Sequence, residues 1–228
     1  MKSLGLQLPP LLPNLAQPEH WAIWLEYCEE FKSHLGLDSD TCDYLGCIGA
    51  ELGVADFKLY GMEYYSTSFI PAVRNAWYMA ATMPARWAKL ECHDLVEPIL
   101  DYGCGVGYTL RWLKEMGYDD LWGWDVPGVQ SNIAMTVLSK YDIKWWDSRL
   151  DPARFGTILC INTLEHVPEP METLKWLRSI SDNVIANCDV GESGDHVASV
   201  GERMQVMEEL VKAGEHIGKP VNAREEFK

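Results

Sequence analysis

Ile99-Leu100-Asp101-Tyr102-Gly103-Cys104-Gly105-Val106-Gly107 is the stretch that decides the fold. A short apolar run ends in a glycine-rich turn, and a helical pattern over 108–116 follows at once. Such a turn between strand and helix lets a ligand approach the backbone closely, with amide donors aimed at it. The spacing is GxGxG rather than the GxGxxG of dinucleotide folds, where a later glycine packs helix against strand. Tyr108 stands at that later position here. The next apolar run, 121–124, closes on Asp125, 18 residues after Gly107. An acid at the tip of a second strand can accept hydrogen bonds from both hydroxyls of a ribose. A glycine turn alone is weak. With Asp101 before it and Asp125 after it, each at a strand end, the constellation is specific.

Outward from this stretch, short apolar runs alternate with helical patterns. Residues 98–102, 121–124, 143–146, 157–161 and 183–188 read as strands, and 108–116, 129–141, 171–180 and 201–213 as helices. Gly117 stands where a glycine ends the first of these helices. Alternation at this interval predicts βαβ units, hence an α/β fold with a Rossmann-like parallel sheet and helices on both faces. Upstream the texture differs. Residues 1–18 form a proline-rich arm, and Trp21, Ile23, Trp24, Tyr27, Cys28, Phe31 and Leu35 recur at helical spacing up to Gly36. Asp38, Ser39 and Asp40 offer caps for a second helix carrying Tyr44, Leu45, Ile48 and Leu52. Residues 57–69 are aromatic and ambiguous, and a helix over 71–92 is expected to break or kink at Pro84. The expected organisation is a helical N-terminal cap over 1–95 and a ligand-binding domain over 96–228.

The chain has 228 residues, 47% hydrophobic and 23% charged, which suits one domain with an appendage or two small domains. Its formal charge of −15, with no run of basic residues, disfavours extended nucleic acid as a partner. Ten Trp, ten Tyr and five Phe exclude general disorder. No apolar stretch reaches membrane-spanning length before Pro, Gly or a polar residue interrupts it. The seven cysteines are odd in number and lack CxxC spacing, so neither a disulfide framework nor a zinc knuckle is encoded. Pro9, Pro10 and Pro13 break the apolar start that would otherwise suggest a signal peptide, and a reducing cytoplasm is the expected location.

With these residues in view, the sequence resembles the class I S-adenosylmethionine-dependent methyltransferases, over about residues 97–190. Asp101 to Gly107 resembles their (D/E)xGxGxG motif, and Trp122-Gly-Trp-Asp125 the second-strand motif. Trp146-Asp147-Ser148 is similar to the third-strand end. The segment from Phe155 to Pro170 resembles the fourth-strand motif of the small-molecule branch, which ends in LEHVPxP. The resemblance implies strand order 3-2-1-4-5, S-adenosylmethionine as cofactor and S-adenosylhomocysteine as product. It implies that Gly103, Cys104 and Gly105 cradle the methionine part, with Asp101 shaping that loop and reaching the amino group. Asp125, followed by Val126, would hold the ribose, Asp147 the adenine edge, and Asn162 would lie near the methionine end. Glu165 and His166 would be the general base pair for a hydroxyl nucleophile, or equally a cap for the next helix. His196 either faces substrate or lies in a solvated loop.

Three departures from the family pattern stand out. The fourth strand usually begins Phe-Asp and here reads Phe155-Gly156. The ExxEH pattern linked to a divalent metal in ubiquinone-pathway O-methyltransferases reads Asn162-Thr-Leu-Glu165-His166, so no metal is expected. The family closes its sheet with an antiparallel hairpin, and 214–228 show no clear pair of strands, so an abbreviated sheet or an incomplete reading frame is expected. Cys104 reads as a small filler, while Cys42, Cys47, Cys92 and His93 read as ordinary core or surface residues rather than ligands. Tyr64 and Tyr65 are either core or a closure over the cofactor from the cap. The expected reaction is methyl transfer to a small-molecule acceptor, since the Asp/Asn-Pro-Pro-Tyr motif of amino-methylating DNA enzymes is absent and the LEHVPxP branch and aromatic-rich cap point there, with a protein or glycan acceptor left open. A non-catalytic cofactor-binding module and a nicotinamide-dependent oxidoreductase are the rival readings. The acceptor atom and the oligomeric state are not encoded legibly.

Overall fold

A computed structural model describes residues 18–38, 40–42, 68–147, 154–191 and 196–217. Helices α1 (Pro18–Leu35) and α2 (Ile70–Leu90) precede the sheet. The alternating part runs β1 (Ile99–Tyr102), α3 (Tyr108–Glu115), β2 (Leu121–Trp124), α4 (Val129–Ser139) and β3 (Lys144–Trp145). It continues through β4 (Thr157–Cys160), a 3₁₀ turn (Leu164–His166), α5 (Pro170–Ile180), β5 (Val184–Ala186) and α6 (Val200–Ala213). The five strands are parallel in the order β3-β2-β1-β4-β5. This is the Rossmann-like α/β sheet that the sequence alternation predicts.

Why the sheet is covered on both faces is visible in its side-chain period of two. Ile99, Leu121, Leu159 and Ile185 point into one core, and Leu100, Trp122, Ile158 and Val184 into the other. The first core is closed by α1, α2, α3 and α4, through residues such as Phe31, Val73, Leu113 and Val137. The second is closed by α5 and α6 through Leu174, Leu177, Val206 and Leu210. The N-terminal helices thus share their core with the sheet. In α1, Ile23, Trp24, Tyr27, Cys28 and Phe31 are all buried, which is the apolar stripe their spacing predicts. Glu26 of α1 pairs with Arg111 of α3 at 3.2 Å, and Glu30 pairs with Lys140 beyond α4. Tyr27 reaches further, donating its hydroxyl to the Val106 carbonyl in the glycine loop at 2.8 Å.

Helix α2 differs from expectation. It is one helix from Ile70 to Leu90, with no break at position 84. An interior proline costs about 3 kcal/mol, and buried residues on either side, Ala76 and Ala80 before it and Leu90 after it, hold the course. Asp38 does cap a turn, accepting from the Thr41 amide at 2.8 Å. The rest of that expected helix, the 57–67 part of the ambiguous segment, and Tyr64 and Tyr65 lie outside the described residues. Gly156 has a steric reason. A Cβ there would sit 2.4 Å from the Val96 carbonyl oxygen, so the acid usual at this position does not fit.

After α6, which is capped by Ser199 and Glu202 and ended by Gly214, the chain returns to the sheet edge. Ala186 donates to the Glu215 carbonyl and accepts from the Ile217 amide, each at 2.9 Å, giving one parallel bridge to His216. The segment 218–228, where the expected hairpin question lies, falls outside the described residues. No described helix is long and apolar enough to cross a membrane.

Candidate active site

The carboxyl ends of the strands open into a cleft of about 850 Å³. Its floor is the loop after β1. Gly103 and Gly105 have φ of +77° and +59°, a left-handed backbone that favours glycine. Both are also crowded. A Cβ on Gly103 would meet the Thr163 side chain at 2.4 Å, and one on Gly105 would meet Asn75 Oδ1 at 2.7 Å. The loop is stitched to β2, since the Gly103 and Cys104 amides both donate to the Trp124 carbonyl, at 2.8 and 3.0 Å. The Gly105 amide donates to Asp125 Oδ2 at 2.7 Å, and the Gly107 amide to the Cys104 carbonyl at 2.8 Å. The sequence suggested amide donors aimed at a ligand. Four of those amides are instead engaged within the protein, so the cleft offers a cationic ligand a close backbone and carboxylates rather than an anion-binding nest.

Asp101 and Asp125 are both buried at the cleft floor. Asp125 also accepts the Val126 amide through Oδ1 at 2.7 Å. Burial pushes its carboxyl up to about 6, against the pull of the hydrogen bonds from Gly105, Val126 and Gln130. Asp101 is pushed up to about 7 by burial, partly offset by the Arg86 guanidinium and reinforced by Asp125. Two buried acids this close to one loop are poised for positive charge. Val126 exposes its apolar side chain into the same cleft. Cys104 is buried, and burial raises its thiol well above the ordinary range, which suits a filler rather than a nucleophile.

The wall beyond β4 carries the remaining sequence-derived candidates. Asn162 takes φ of +53° and is locked to Asn187 after β5. Its amide donates to Asn187 Oδ1 and its Oδ1 accepts from Asn187 Nδ2, both at 2.6 Å. Glu165 is buried in the 3₁₀ turn, and its Oε2 has no hydrogen-bond partner among the described residues. Burial, aided by Asp189, lifts its carboxyl to about 7. One donor atom each from Glu165, His166 and His196 lie within 4.8 Å of one another, and the two imidazole rings meet edge to face at 5.4 Å. This set is able to accept and pass a proton. Asp147 is half-buried after β3 and is not part of the cleft lining.

Sequence reasoning placed α2 but missed its part in the cleft. Asn75, Tyr78 and Arg86 line the cleft from that helix, and both Asn75 Oδ1 and Arg86 Nε are buried without a hydrogen-bond partner among the described residues. Nothing local in the sequence marks them beyond their place on one helical face.

The family described as "Methyltransferase domain" matches residues 78–225, and the chain belongs to it. That membership agrees with the resemblance to class I S-adenosylmethionine-dependent methyltransferases and sets the chain apart from nicotinamide-dependent oxidoreductases. Among curated proteins, the tRNA U34 carboxymethyltransferase of Nautilia profundicola is 25% identical over 142 residues, 55% of this chain and 46% of that protein. The chain therefore spans about half the length of that relative. Among solved structures, magnesium protoporphyrin IX methyltransferase (ChlM) from Synechocystis PCC 6803 with bound SAM has a TM-score of 0.44 and 14% identity, covering 86% of this chain and 87% of that one. The plantazolicin methyltransferase BpumL, in complex with a pentazolic desmethylPZN analog and SAH, has a TM-score of 0.40 and 15% identity over 86% of this chain and 77% of that one.

Proposed function

We propose that this enzyme methylates a small-molecule acceptor in the cleft at the strand ends. The observation that carries the reading is the gathering of three buried carboxylates, Asp101, Asp125 and Glu165, around one cavity of about 850 Å³. Small-molecule sites usually span about 300–1,000 Å³. In this reading the backbone at Gly103, Cys104 and Gly105 holds the methionine part of the cofactor, and Asp101 faces its amino group. Asp125 takes the ribose hydroxyls, Val126 flanks the adenine and Asp147, just after β3, serves its edge. Asn162, held by Asn187, borders the methionine end, and Asn75 Oδ1 accepts from a ligand donor beside Gly105. Residues 1–95 act as the cap, with α2 as its working wall, and 96–228 as the domain that carries the sheet.

S-adenosylmethionine supplies a methyl group on a positively charged sulfur that is already a good leaving group. What the protein adds is alignment of the acceptor with that methyl. Where the acceptor is a hydroxyl, a ring nitrogen of His166 takes its proton and Glu165 stabilises the imidazolium. The free thiols of Cys28, Cys104, Cys160 and Cys188 fit a reducing, cytoplasmic setting.

A net charge of −15 works against docking a polyanion. The tRNA U34 carboxymethyltransferase likeness supports a second reading, in which the acceptor is RNA. Release of S-adenosylhomocysteine, measured across small-molecule acceptors and bulk tRNA, separates the two. Turnover on a small molecule with none on tRNA supports our reading; turnover on tRNA alone overturns it. Binding of the cofactor with no turnover on any acceptor would favour a non-catalytic module.

A further inference from the structure

We propose that Arg86, presented by α2 and steadied by Tyr78, anchors the carboxylate of the cofactor's amino-acid end. This rests on the methyl-donor site described above and adds a residue to it. The physical problem is charge. As Asp101, Asp125 and Glu165 ionise they make the buried walls of the cleft negative, which suits a sulfonium and an ammonium but repels the one carboxylate the cofactor carries. A cation must sit beside that carboxylate for the whole ligand to be bound. Arg86 meets the need. It lines the cleft, its charge acts on both Asp101 and Glu165, and the Tyr78 hydroxyl accepts from its guanidinium.

The hydrogen-bond inventory points the same way. Among the described residues, buried Arg86 Nε has no hydrogen-bond partner, and leaving such a donor unpaired is costly. A guanidinium offers a fork that matches a carboxylate bidentately, which lysine cannot reproduce. The glycine-loop amides are no substitute, because Gly103, Cys104, Gly105 and Gly107 already donate within the protein. Tyr78 lies two helical turns before Arg86, so its bond draws the long side chain back along α2 toward the glycine loop.

Calorimetric titration with S-adenosylmethionine, decarboxylated S-adenosylmethionine and 5′-methylthioadenosine tests the assignment. The wild-type chain should prefer the cofactor over its decarboxylated form. Arg86→Gln should erase that preference, weakening S-adenosylmethionine by about tenfold or more while leaving methylthioadenosine within about twofold. Equal weakening of all three ligands, or no carboxylate preference in the wild type, overturns the inference. If the wild type binds none of them, the methyl-donor site itself fails. If Arg86→Gln does not fold, Arg86→Lys decides by the same comparison, with a reduced carboxylate preference expected and an unchanged one contradicting the anchor.

Discussion

Asp125 accepts the Gly105 amide at 2.7 Å, which ties the acid at the tip of β2 to the glycine loop after β1. The same carboxylate takes the Val126 amide through its other oxygen. Loop floor and acid are therefore joined directly. Asp125→Ala should keep its circular dichroism yet bind S-adenosylhomocysteine at least about tenfold more weakly, since a hydrogen bond to a charged group is worth about 1.5–3 kcal/mol. Unchanged affinity would remove Asp125 from the site.

The loop glycines can be tested against an internal control. Gly103→Ala places a methyl 2.4 Å from Thr163 at φ +77°, whereas Gly117→Ala, at φ +92°, meets none of the described residues within 4 Å. Both pay for left-handed backbone, at about 1–2 kcal/mol. Only the first should also displace the loop, so it should lose cofactor binding while Gly117→Ala keeps it. Titration of the two variants side by side checks this.

Asp101, Asp125 and Glu165 all hold protons more tightly in the folded chain than carboxyls do in water, at about 7, 6 and 7. Unfolding releases those protons once the pH exceeds about 4, so the ligand-free chain should lose stability as pH rises from about 4 to about 7. Cofactor binding should run the other way and strengthen over pH 6–8 as the acids ionise. Asp101→Asn should raise the ligand-free melting midpoint, by roughly 2–4 °C per kcal/mol for a chain of this size, while weakening S-adenosylmethionine. A melting series with and without ligand reads both effects. A ligand-free midpoint that climbs steadily across this range would contradict the burial argument.

His166 separates chemistry from scaffolding. With a hydroxyl acceptor in hand, His166→Ala should lower kcat by about 10²–10⁴ and leave S-adenosylhomocysteine affinity unchanged. A lower melting midpoint with kcat intact would make the residue a helix cap instead.

The sheet order and the Asp101–Gly107 and Asp125 geometry were legible because each is written in a few contiguous residues whose chemistry needs little context. A strand, a left-handed glycine turn and a terminal acid follow from local rules. The α2 contribution was not. Asn75 and Arg86 become site residues only because α2 packs over the glycine loop some thirty positions downstream in the sequence. An amphipathic helix looks the same whether its polar residues face water or a cleft. Likewise, the capture of the loop amides by the Trp124 carbonyl leaves no trace in side-chain pattern, since backbone groups are common to every residue. Pro84 misled for the converse reason: a local breaker was outweighed by packing on both sides.

The central claim is a methyl-donor site with its cation-facing carboxylates at the strand ends. Isothermal titration of the wild-type chain with S-adenosylmethionine and S-adenosylhomocysteine, with NAD as the control, tests it most directly. We expect micromolar binding of the first two and none of NAD. A folded chain that binds neither, or that prefers NAD, would contradict the account.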